Sequence, residues 1–268
     1  MAMLNASLDQ FSYWYISIFL MVLGVAGVIG SRYLSSIRCN FLFELRDPIV
    51  GTRLRAVLDR REALEGLGRR PIIVASISYF FFGLLCLLHV VTPAIAYALA
   101  CADVALMFAW MFARVRNRSQ RRAASLAPRR QIAVVPPLAF VGALLVAAVP
   151  LVFVTDPNLR VPALLVCVSS LAIVVSAWSV AGMAAVLVGD DADLEVYADE
   201  RIRRSRVCSM LALAYAVVPV FVAVVTRDAA NLSVYNYAFV TSMILTVMFT
   251  TWCFIDFMQR RAPRPDGT

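Results

Sequence analysis

The sequence predicts an all-α integral membrane protein, a seven-transmembrane-helix bundle with its N-terminus outside and its C-terminus cytoplasmic. Three observations carry that expectation. Of 268 residues, 62% are hydrophobic and only 16% charged, and the apolar residues come in long blocks rather than in the alternating or amphipathic patterns of a water-soluble domain. Seven of those blocks are long enough to cross about 30 Å of hydrocarbon. The basic residues, 25 in number and every one an arginine, fall almost entirely between alternate blocks.

The blocks lie near 12–32, 71–91, 93–113, 132–154, 161–187, 207–226 and 235–258. The first follows "MAMLNASLDQFSYWY", which lacks a basic leader and an A-x-A site and carries Asp9. It therefore reads as an uncleaved span whose Phe-Ser-Tyr-Trp-Tyr stretch forms an outer aromatic belt. Gly24, Gly27 and Gly30 in this span predict close approach by another helix, and a neighbour within the same chain is favoured over a second protomer. Spans four and five are bracketed by prolines at the places where a missing N–H costs least. Span five gathers Ser169, Ser170, Ser176 and Ser179 with small alanines, which again predicts tight packing.

Orientation follows from the arginines. The segments after spans one, three and five and the C-terminal tail hold 9, 7, 4 and 3 of them, leaving only Arg160 and Arg227 for the opposite face. The positive-inside rule then puts those segments in the cytoplasm. Facing anionic lipid headgroups, this charge calls for no nucleic-acid partner. The first inner segment predicts an amphipathic surface helix over about 48–65, capped by Asp47 and stopped at Gly66 and Gly68. The third predicts a short polar helix over about 190–206, with acids leading, bases closing, and Asp199–Arg203 and Glu200–Arg204 spaced for pairing. The expected membrane is a plasma or inner membrane, with these inner segments as the surface for a membrane or cytoplasmic protein partner.

Several function classes are excluded by composition. Without lysine there is no Schiff base for retinal. The one histidine, His89, precludes paired-histidine haem ligation and an H-E-x-x-H zinc site. The six cysteines are scattered without C-x-x-C spacing, and Cys86 and Cys101 read as ordinary buried thiols. Asp190, Asp191, Asp193 and Glu195 lack the turn glycine of a calcium loop and read as a solvated patch. No cofactor and no metal is expected.

The polar residues inside the blocks are few. Asp103 stands in "YALACADVALMFAW", about ten residues or roughly 15 Å from each end of span three, where a carboxylate must turn toward the bundle, protonated or paired. Tyr215 lies near mid-depth in span six, and Pro219 removes a backbone hydrogen bond there, leaving a carbonyl open and marking a candidate hinge. Span seven repeats Tyr235, Ser242, Thr246, Thr250, Cys253 and Asp256 along one side. Asp103, Tyr215, Ser242 and Thr246 are thus the candidate buried polar site, and Asp256 with Arg260 a candidate ion pair at the inner boundary. Asp103 and Asp256 lie at different depths and cannot share a proton as a catalytic acid pair. The expected function is non-enzymatic: a sensory, regulatory or scaffolding bundle acting through its cytoplasmic segments. The alternative is a proton-coupled or small polar solute transporter built on Asp103.

Overall fold

The computed structural model describes residues 13–29, 70–122, 135–154, 156–182, 192–225, 240, 243–249 and 251. These form seven helices and, among the described residues, no strand. We number them α1 (Tyr13–Ile29), α2 (Arg70–Leu87), α3 (Pro93–Arg122), α4 (Pro137–Phe153), α5 (Pro157–Ala181), α6 (Ala192–Val225) and α7 (243–249). Three contain stretches long and apolar enough to cross a membrane: Pro93–Trp110, Pro157–Ala181 and Arg206–Val225. Tyr13–Ile29, Ile72–Leu87 and Pro137–Val152 are apolar but shorter. The surface helix expected at 48–65 and residues Ser242, Asp256 and Arg260 lie outside the described residues.

Local chemistry sets the boundaries. α5 begins a turn before the expected start because Asp156 caps it, its carboxylate accepting from the Asn158 N–H at 2.9 Å, with Pro157 in the first turn. It stops at Gly182, whose N–H returns to the Trp178 carbonyl. α2 ends in a Schellman turn: the His89 N–H bonds the Cys86 carbonyl and the Val90 N–H bonds the Leu85 carbonyl, each at 3.0 Å. His89 takes the left-handed position at φ 56°, which glycine usually fills, and its ring packs on Tyr13 of α1 with centroids 4.3 Å apart.

The expected polar helix before span six is continuous with that span. α6 runs as one helix for 34 residues with Pro219 inside it, about 51 Å at 1.5 Å per residue. Its Arg203 and Arg204 are buried and engaged in contacts.

The core has two parts. In the larger, α5 packs against α3, α4 and α6, and α6 closes on α3 and α4; the fully buried Val166, Ile173, Ala177, Val207, Leu211, Val218 and Phe221 fill the space between them. The smaller joins α1 to α2 and α3 through Ile16, Leu20, Cys86, Ala96 and Ala100. Here α1 comes close enough to α2 that a Cβ on Gly24 would sit 2.6 Å from the Ser76 carbonyl oxygen and 2.9 Å from the Phe80 nitrogen. Gly27 faces Ser76 in the same way. Gly24 and Gly27 therefore meet another helix of the same chain, and Gly30 lies outside the described residues. Large apolar side chains cover the periphery, among them Leu106, Leu138, Val161 and Trp178, as an apolar solvent requires.

Cys86, Cys101, Cys167 and Cys208 are free thiols. Cys86 belongs to the smaller core and Cys101 to the larger, so equal depth does not bring the pair together.

Candidate functional site

The most organised polar structure surrounds the break at Pro219. Proline has no N–H, so the carbonyl four residues earlier, that of Tyr215, loses its helical donor. The Thr246 hydroxyl on α7 supplies a replacement, donating to the Tyr215 carbonyl at 3.1 Å. Two adjacent carbonyls of α6 are also engaged from other helices. Ser170 of α5 donates to the Ala214 carbonyl at 3.3 Å, and Tyr97 of α3 donates to the Val217 carbonyl at 2.9 Å. The Tyr215 hydroxyl reaches the other way, to the Ala139 carbonyl in the first turn of α4 at 2.9 Å. Residues 214–217 thus tie α6 to α3, α4, α5 and α7 in a single turn.

Packing holds these donors in place. Tyr215 lies against Phe249 of α7 with ring centroids 4.9 Å apart, and Tyr97 stacks on Phe221 of α6 at 6.4 Å. Gly142 of α4 makes room for the Tyr215 phenol, since a Cβ there would collide with its hydroxyl. In an apolar surround each such bond has no water competing for it, and a donor left unmade costs its full desolvation.

Of the candidate site residues, the structure brings together Tyr215 and Thr246 and puts Pro219 one turn from both. Asp103 takes no part in the hydrogen bonds of the hub. α2 and α3 run antiparallel about the turn at 88–92, which sets Tyr79 level with Asp103. The Tyr79 phenol lies within electrostatic reach of both the Asp103 carboxyl and the Cys101 thiol. The Asp103 Oδ2 is enclosed and has no hydrogen-bond partner among the described residues.

Tyr97 and Gly142 complete the hub without having been singled out by the sequence, as does Ser170, which the sequence marked only as a small residue for tight packing. A backbone carbonyl carries no sequence mark, so a side chain that bonds one across a helix interface looks like any other tyrosine or serine. Ser169 and Ser176 instead bond the carbonyls four residues back in their own helix, at 2.6 and 2.7 Å, the ordinary behaviour of a serine in an apolar helix. Gly142 did carry a signal, as the lone glycine of its span.

Among the described residues, no three His, Cys, Asp or Glu side chains gather as a metal ion would need. Comparison with known proteins finds no matching family model, no matching curated protein and no matching solved structure.

Proposed function

We propose that the chain is a non-enzymatic, seven-span membrane protein of a plasma or inner membrane, N-terminus outside and C-terminus cytoplasmic, with a sensory, regulatory or scaffolding role. It acts through its arginine-rich inner segments, which lie against anionic headgroups and engage a membrane or cytoplasmic protein partner. The observation that supports this reading is the hub at residues 214–217, where the hydroxyls of Tyr97, Ser170, Tyr215 and Thr246 each donate to a backbone carbonyl. A solute pathway needs polar groups that exchange partners with the cargo. These groups instead hold four helices against a proline-broken α6, an arrangement suited to passing a tilt of its outer part to the long inner extension before Arg206.

Two measurements test the proposal. In intact cells, a membrane-impermeant thiol reagent should label Asn5→Cys and spare Ser125→Cys; the reverse would overturn the orientation. In vesicles containing the purified chain, proton and small-solute flux should stay at the level of empty vesicles. Asp103-dependent flux, lost in D103N, would replace this reading with the second one, transport through Asp103. The second reading is favoured by one observation, the enclosed Oδ2 without a partner among the described residues.

A further inference from the structure

We infer that the edge of α3 bearing Asp103 is a docking surface within the membrane for a partner helix that carries a lysine or arginine at mid-depth. The inference rests on the multi-span regulatory reading and deepens it by naming the chemistry of a partner.

Three features of α3 lead there. Around its axis, Ala96 and Ala100 are buried toward α1 and α2, and Tyr97, Ala98, Cys101, Val104 and Ala105 toward α5 and α6. The remaining arc faces outward: Ile95 is 39% exposed, Leu106 69% and Trp110 46%. At 100° per residue, Asp103 falls on the border between that arc and the α2 side, and it is correspondingly only half-buried. Its Oδ2 is enclosed with no hydrogen-bond partner among the described residues, so a group docking on this edge meets the part-exposed remainder of the side chain.

The second feature is charge. A carboxyl at the middle of an apolar span carries its charge there only beside a cation, and the described helices offer no cation at that level. The nearest arginine along α3 is Arg114, eleven residues or about 16 Å away. Arg160 lies in the first turn of α5, and Arg206 begins the apolar stretch of α6. Lipid phosphates are anionic and confined to the surface, so they neither reach nor attract the group. A second copy of the chain meeting on this edge would bring another Asp103 to it, a like charge. A basic side chain from a different helix is the complementary occupant.

The third feature is shape. Ala102, Ala109 and Ala113 alternate with Leu106 and Trp110 along the outward arc, with Ala109 and Ala113 exposed and Ala102 partly so. Small residues beside a polar one let a second backbone come near enough for a side-chain contact.

The test uses the full chain, donor-labelled, in vesicles of zwitterionic lipid. The probes are acceptor-labelled leucine–alanine spanning peptides with one lysine at mid-span, one lysine at the end, or none. Wild type should show saturable energy transfer to the mid-span lysine peptide. Association should be about tenfold weaker for the other two peptides, and equally weak for D103N and D103L. D103L serves because a leucine suits both lipid and fold, so its loss of association does not reflect unfolding. Equal association of wild type and D103L, indifference to the position of the lysine, or Asp103-dependent self-association without peptide would each overturn the docking surface. In the same vesicles, release of the chain by alkaline extraction would sink both this inference and the membrane reading. Asp103-dependent proton flux would overturn the regulatory reading alone.

Discussion

Around Pro219, hydroxyls from α3, α5, α6 and α7 each close on a carbonyl of a neighbouring helix. Where α1 and α2 meet α3, the helices are joined by glycine notches and apolar side chains, and Asp103 keeps an enclosed oxygen without a partner among the described residues. The two regions sit in one bundle and share an apolar surround. They differ in how the polar groups are met: four hydroxyls of the first find carbonyls, one of them opened by proline, while in the second the enclosed Asp103 oxygen meets no donor among the described residues. The proline break accounts for one of the four contacts, that of Thr246 with the Tyr215 carbonyl, and the other three reach carbonyls of intact helical turns.

The comparison can be broken most forcefully at the glycine notch. Gly24→Leu places side-chain carbons against backbone atoms of Ser76 and Phe80, which cannot rotate away, and should cost about 3 kcal/mol. The measurement is equilibrium unfolding in mixed detergent micelles. A cost near zero would mean that α1 is not held by close approach.

Next comes the hub's tightest contact. Gly142→Ala should cost about 2 kcal/mol because its Cβ meets the Tyr215 hydroxyl, and Tyr215→Phe about 1 kcal/mol through the lost bond to the Ala139 carbonyl. The double variant should be more stable than the sum of the two predicts, by about 1 kcal/mol, since removing the hydroxyl makes room for the new methyl. Strict additivity would separate Gly142 from Tyr215.

The two regions should respond oppositely to loss of a polar group. Thr246→Val should destabilise by about 1 kcal/mol in the native background. In Pro219→Ala, where a backbone N–H is returned to the Tyr215 carbonyl, its cost should fall below about 0.5 kcal/mol. Asp103→Leu should stabilise the isolated chain in detergent by about 1 kcal/mol, since it removes a buried acceptor that the fold does not satisfy. A destabilised Asp103→Leu would show that the carboxyl has a partner inside the bundle.

The smallest effect belongs to the end of α2. His89→Gly relieves a left-handed residue of its Cβ clash while giving up the ring contact with Tyr13, for a net gain below about 1 kcal/mol. A thermal unfolding midpoint that drops would mean that the contact with α1 outweighs the backbone strain.

Much of this was open to reading along the chain. Apolar block length is a one-dimensional property, so the helical class and the long apolar stretches of α3, α5 and α6 follow from composition and spacing. The break at Pro219 is equally local, because a proline discards its hydrogen bond wherever it stands in a helix, and it identifies the Tyr215 carbonyl as the one left open. Aspartate and proline before α5 likewise announce its start. The small residues of span one predicted a close neighbour.

Tertiary structure alone decided which groups meet. Helix rotation is set by the summed packing of all faces, and it turned Tyr215 toward Gly142 and Thr246 while leaving Asp103 beside Tyr79. It also brought Tyr97 and Ser170 to carbonyls that have no signature among side-chain letters. Depth in a membrane can be counted from sequence because rise per residue is fixed. The azimuth of a side chain depends on neighbours distant in the chain, and only the assembled bundle sets it.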